Sequence, residues 1–167
     1  MPRRVLRVER SVSIARPDWE VFTFLADAEN EVLWRPKVLH VRKTYAGPMG
    51  LGAAYWRVDK GLLGRKTGIV RVTAYEADRA VTFAGSFDGG AQPTDEYRVT
   101  PTPDGAETRV DAAYETPLGH LGALAAGHLS VKRARELADN LARLKRLLED
   151  PARTDAIMDA AWGERPA

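Results

Sequence analysis

The chain has 167 residues, 44% of them apolar and 29% charged, enough for one hydrophobic core with little room for a second. Its 25 basic and 23 acidic side chains leave a net charge of +2, without the basic excess of a dedicated nucleic-acid binder. Cysteine is absent, which excludes disulfides, thiolate zinc sites, iron–sulfur clusters and a cysteine nucleophile.

No apolar run approaches the roughly 18 residues of a membrane span. Near the N-terminus, Arg7, Glu9 and Arg10 interrupt the apolar residues, so the segment does not read as a secretory signal. The expectation is a cytoplasmic domain over residues 1–149 followed by a tail over 150–167.

Residues 5–14 alternate. Leu6, Val8, Val12 and Ile14 share one face, with Arg10 as the exception, and the period of two predicts a half-buried strand. Pro17 suits the start of a helix, and Asp18 and Glu20 fall in its first turn, where the helix dipole favours acids. Val21, Phe22, Phe24 and Leu25 supply its apolar side. A second short helical piece, 28–34, ends before Pro36.

Strands are predicted near 37–45, 52–59, 66–76, 79–87, 92–100 and 107–116. Turn signals at 47–50, 61–64, 88–90 and 103–105 separate most of them, and the short spacing predicts antiparallel hairpins. Beyond Pro117 the pattern becomes helical as far as Glu149. Ala134, Leu137, Ala138, Leu141, Leu144 and Leu148 form one stripe, and Leu121, Leu124, His128 and Val131 an earlier one. The two are out of phase by roughly a third of a turn, which predicts a bend or a junction at Gly127. A curved antiparallel sheet wrapped around one long amphipathic helix accounts for this order of elements. The gap between sheet and helix would be a cavity.

Four groups of residues carry a resemblance. They are Ile14-Ala15-Arg16-Pro17 followed by 21–27; Glu29-Asn30 with Trp34-Arg35-Pro36-Lys37-Val38; Gly50-Leu51-Gly52-Ala53-Ala54-Tyr55; and 140–145 ending in Leu148-Glu149. In this order and spacing the chain resembles the START-like (SRPBCC) superfamily, and within it the polyketide cyclase/dehydrase-like branch. The resemblance implies an α+β helix-grip fold: a seven-stranded antiparallel sheet around a long C-terminal helix, with an apolar ligand cavity between them. It also implies that Trp34 lies at or under the pocket entrance. Fold alone does not settle function, because one fold hosts many.

The candidate site residues follow from strand and helix faces. Asp95, Tyr97 and Val99 share one face of their strand, and Val110, Ala112 and Tyr114 one face of the next; both faces should look inward. Asp95 is the anomaly, a carboxylate aimed at an apolar space. It reads either as a polar anchor or base in the pocket, or as a strand-end residue in solvent. Tyr97 and Tyr114 either present hydroxyls to a ligand or wall the cavity. Trp56, Phe83 and Phe87 are placed inward on their strands, with Trp34 and Leu124 completing an apolar wall. Glu96, Arg98, Arg109, Asp111 and Glu115 are placed outward, as cross-strand ion pairs in water.

His128 falls on the apolar stripe, as an acid or base or simply as a packed residue. Metal binding is not expected: His120 and His128 would stand about 12 Å apart along one helix, and His40 is on a distant strand. No cofactor is expected. Gly61-Leu62-Leu63-Gly64-Arg65-Lys66-Thr67 superficially looks like a phosphate loop, but its spacing is wrong and a strand follows it. Its leucines read as an apolar loop tip. The basic residues of the long helix, with Glu136 and Asp139 among them, read as a solvated face. None of the four serines, Ser11, Ser13, Ser86 and Ser130, sits in a nucleophile elbow.

Three functions stay open. The first is binding of a small hydrophobic molecule: a lipid, a quinone or an aromatic polyketide-like compound. The second is a metal-free aromatase/cyclase or dehydratase, with Asp95, Tyr97 and His128 handling protons. The third is a membrane- or protein-interaction module using Leu62, Leu63, Ile157 and Trp162. Transient membrane contact fits any of them, and the chain is either a monomer or a homodimer joined along an edge strand.

Overall fold

A computed structural model describes residues 4–119, 122–153 and 156. His120, Leu121, Ile157 and Trp162, all singled out above, lie outside the described residues. The first strand, β1 (Val5–Ile14), leads through Pro17 into α1 (Asp18–Ala26). Pro17 caps that helix with φ −60° and ψ 150°, an extended conformation natural to its ring. A 3₁₀ turn (Ala28–Asn30) follows, in which the Asp27 carboxylate accepts from the Glu29 amide at 3.0 Å. Then comes one turn of helix, α2 (Glu31–Trp34), which stops at Arg35 ahead of Pro36.

Six further strands follow in meander order: β2 (Val38–Lys43), β3 (Ala54–Gly61), β4 (Gly64–Glu76), β5 (Ala80–Phe87), β6 (Thr94–Pro101) and β7 (Thr108–Pro117). The sheet has seven antiparallel strands in the order β1-β7-β6-β5-β4-β3-β2. The first strand therefore pairs with the last, and β1 and β2 are its edges. The long helix α3 (Ala123–Glu149) packs chiefly on β1. This is the α+β helix-grip arrangement that the order of elements predicts.

The core fills the concave side. Ile14, Val70, Val72, Val81, Phe83 and Val110 from the sheet meet Leu137, Leu141 and Leu144 from α3, and Phe22, Phe24 and Leu25 from α1 close one end. Each such side chain, fully buried, contributes roughly 1.5–3 kcal/mol by leaving water. Phe87 fits because Gly68 and Gly85 lie under its ring; a Cβ on Gly68 would stand 2.5 Å from the Ser86 carbonyl oxygen and 2.7 Å from the ring.

Two expectations about α3 are corrected. It begins at Ala123, with Gly122 ahead of it in an extended conformation at φ −68° and ψ 163°. It also runs through Gly127 without a break. The two apolar stripes differ in phase because they face different surroundings. Leu137, Leu141, Leu144 and Leu148 are buried on the sheet, whereas Leu124 and Val131 are 92% and 65% exposed. One helix serves both, so no bend is needed.

Candidate functional site

The one-turn helix α2 sets the site. Its i,i+4 spacing places Glu31 and Arg35 on one side, and the chain turns them, with Trp34, toward the sheet. Glu31 and Arg35 are almost completely buried. Opposite them, β3 turns Tyr55, Arg57 and Asp59 inward, β6 turns Asp95 and Tyr97 inward, and β7 turns Tyr114 inward.

All but Tyr55, whose hydroxyl donates to Met49 Sδ at 3.1 Å, form one connected cluster. Arg35 Nη1 donates to Asp95 Oδ2 at 2.7 Å, to Glu31 Oε1 at 3.1 Å and to the Tyr97 hydroxyl at 3.1 Å. Its guanidinium carbon lies 4.6 Å from the Tyr114 ring centre and 5.9 Å from that of Trp34, so two aromatic faces also contact the cation. Arg57 Nη1 donates to Glu31 Oε2 at 2.8 Å and lies 3.6 Å from Asp95 Oδ2. Two further Arg57 nitrogens grip Asp59 at 2.7 and 2.8 Å. Phe87 covers the Arg57 guanidinium at 5.6 Å.

The protonation states follow from this geometry. Burial alone would raise the Asp95 carboxyl, but Arg35 and Arg57 outweigh it and hold the group below the usual carboxylate range. Burial works against the Arg35 cation, yet Asp95, with Tyr114, Tyr97 and Glu31, holds its pKa well above the ordinary arginine value. Burial pushes the Tyr97 phenol well above 10.0 and raises that of Tyr114; Arg35 opposes both shifts. Asp95 is thus neither a free base nor a solvated strand end. It is half of a buried bridge that ties α2 to the sheet.

A cleft of about 770 Å³ runs along α3 from Ala123 to Arg143, against the Pro36–Lys37 segment after α2. Leu124, His128 and Val131 line its first half, and Lys132, Arg135, Glu136, Asp139, Asn140 and Arg143 the rest. Asn140 is buried, and its side-chain amide lies 3.4 Å from the Tyr114 hydroxyl, so one residue touches both cleft and cluster. Lys37 closes the rim through an ion pair with Glu136 at 2.8 Å. A second, more polar cleft lies on the other flank of α3, against Val8 and Arg10 of β1.

The predicted site residues separate accordingly. Asp95, Tyr97 and Tyr114 come together around Arg35, with Trp34 against Tyr97 at 5.7 Å between ring centres and Phe83 at 6.3 Å from it. Phe87 is buried over Arg57. Leu124 and His128 line the outer cleft rather than an interior cavity. Among the described residues His128 makes no hydrogen bond to Asp95 or Tyr97. Trp56 is a correction: it is 39% exposed on the outer face, because β3 pairs with β4 in the register that turns Tyr55 and Arg57 inward. The outward charges pair, but not with the partners predicted: Arg7 of β1 bridges Glu96 and Glu115, and Arg109 pairs with Asp111 along its own strand.

Sequence reasoning missed Glu31, Arg35, Arg57 and Asn140 as site residues. Two signals were present: the i,i+4 pair of Glu31 and Arg35, and an asparagine beside Leu137 and Leu141 on the apolar face of α3.

The family model described as polyketide cyclase/dehydrase and lipid transport matches residues 5–149. The chain belongs to this family. A START superfamily protein from Mycobacterium smegmatis superposes with a TM-score of 0.68 at 12% identity, over 84% of this chain and 98% of that one. A structure from Thermus thermophilus gives 0.67 at 16% identity, over 90% and 98% of the two chains. DynU16, from the dynemicin biosynthetic locus, gives 0.59 at 22% identity, over 86% of this chain and 47% of that one. At such identities these likenesses show the fold alone. A search of curated proteins found no match.

Proposed function

We propose that the protein binds a small, largely apolar molecule in the cleft between α3 and Pro36–Lys37. The observation that carries this is the cleft itself: about 770 Å³, with Leu124 and Val131 left open on one helix stripe and Asn140 among the polar and charged side chains further along. Ligand pockets commonly measure about 300–1,000 Å³ and are apolar with a few placed polar groups. The family's lipid-transport description supports the same reading. Burial of ligand surface drives binding, and the ionic cluster behind Asn140 keeps that part of the cleft rigid.

Proton-transfer chemistry by Asp95, Tyr97 and His128 has weaker support. Asp95 and Tyr97 do converge, but on Arg35, and two guanidinium groups hold Asp95 ionised. His128 lies in the cleft, apart from both.

The test is fluorescence titration with the neutral apolar probe N-phenyl-1-naphthylamine, alongside native mass spectrometry and organic extraction of the purified protein. Leu124→Asp and Val131→Asp should each weaken probe binding about tenfold or more, the equivalent of losing one buried apolar side chain. Equal affinity in wild type and both variants would overturn the assignment, as would a wild-type protein that binds no probe and carries no passenger.

A further inference from the structure

The hairpin joining β3 and β4 carries a feature that neither the core nor the cleft uses. Leu62 and Leu63 form its two-residue tip and are 90% and 99% exposed. The turn does not need them. Gly64, at φ 128°, supplies the unusual backbone conformation, and turn centres ordinarily carry polar residues. Two adjacent leucines pointing into water cost solubility and gain nothing within the fold.

The charges around the tip are equally unusual. Lys60 and Arg65 stand directly opposite each other across the hairpin, an arrangement that like charges disfavour. Lys66 follows on the other face, across from Asp59, whose carboxylate is already held by Arg57. The tip therefore presents two apolar side chains flanked by Lys60 and Arg65 on one face and Lys66 on the other. Its root adjoins the cleft, because the Lys60 amide donates to the Lys37 carbonyl at 2.7 Å and Lys37 lines the cleft rim.

We infer that the β3–β4 hairpin is a docking tip for an anionic membrane surface. Leu62 and Leu63 enter the headgroup layer, and Lys60, Arg65 and Lys66 pair with lipid phosphates. An anionic surface relieves the repulsion between Lys60 and Arg65 and removes both leucines from water. The attachment is interfacial; among the described residues no helix is long and apolar enough to cross a membrane. The inference stands on the tip alone and does not need the cleft to hold a ligand.

Vesicle co-sedimentation of the full chain tests it, using phosphatidylcholine vesicles with and without phosphatidylglycerol. The wild type should bind the anionic vesicles, less so as salt is raised, and bind pure phosphatidylcholine far more weakly. Leu62→Asp with Leu63→Asp should lower partitioning about tenfold or more. Lys60→Glu with Arg65→Glu should lower it about fivefold for each cation removed. All four positions are exposed, so the thermal midpoint should not move; the milder Leu63→Ser repeats the test if the double variants fold poorly. Failure of the wild type to bind anionic vesicles, or unchanged binding by the tip variants, overturns the inference, and so would a tip needed only for binding another protein. Probe binding in the cleft should be unchanged by the tip variants, which separates this result from that of the ligand reading.

Discussion

Arg35→Met is the most informative single substitution. Methionine keeps an unbranched apolar stem like that of arginine but removes the cation. One nitrogen, Nη1, serves Asp95, Glu31 and Tyr97 at 2.7, 3.1 and 3.1 Å, so all three partners lose it together. Two buried carboxylates then share Arg57 alone, at 2.8 Å from Glu31 and 3.6 Å from Asp95, while Arg57 remains tied to Asp59. Breaking a buried pair in this way costs about 3–5 kcal/mol. For a chain of this size that corresponds to a fall in Tm of about 6–20 °C. Adding Asp95→Leu removes the stranded carboxylate, so the double variant should be less destabilised than the sum of the singles by more than about 1 kcal/mol. Urea unfolding followed by circular dichroism at neutral pH, on wild type, both singles and the double, measures the whole cycle. A loss below about 1 kcal/mol for Arg35→Met, or strict additivity with Asp95→Leu, would refute the view of Arg35 as the hub of the cluster.

The same cluster sets the response to acid. Asp95 has a depressed folded-state pKa, so its stabilisation is present above the unfolded carboxyl value near 4 and is lost as pH falls through the folded value. Urea midpoints should drop from about pH 4 downward, and Asp95→Asn should flatten that slope; an unchanged slope would refute the assignment. At alkaline pH, burial keeps the Tyr55, Tyr97 and Tyr114 phenols protonated beyond 10.0. Phenolate absorbance from these three should appear only together with unfolding; an early, fully reversible rise for all of them would contradict their burial. Gly68→Ala should destabilise more than Gly85→Ala. The added Cβ at 68 meets backbone, the Ser86 carbonyl oxygen at 2.5 Å, whereas at 85 the nearest atom is in the Phe87 ring at 2.6 Å. A cost of about 1–3 kcal/mol is expected at 68, measured by thermal melts.

What the sequence by itself determined was the architecture. Period-two alternation in residues 5–14, turn signals between the later strands and the stripe from Leu137 to Leu148 depend on local geometry, and local geometry is written in consecutive residues. Asp95, Tyr97 and Tyr114 could be placed inward for the same reason. The surroundings of those residues were decided only by tertiary structure. Arg35 reads as a polar residue before a proline until α2 folds back, 60 positions away in the chain from Asp95. Trp56 and Arg57 are neighbours whose inside and outside places depend on which way β3 faces, and one residue of register exchanges them. The stripe through Leu124 and Val131 has the spacing of a core face, but a stripe becomes core only if another element covers it. Here Leu124 and Val131 stay exposed, so those residues line an open cleft. Period reveals which residues share a face; only the packed chain decides what that face meets.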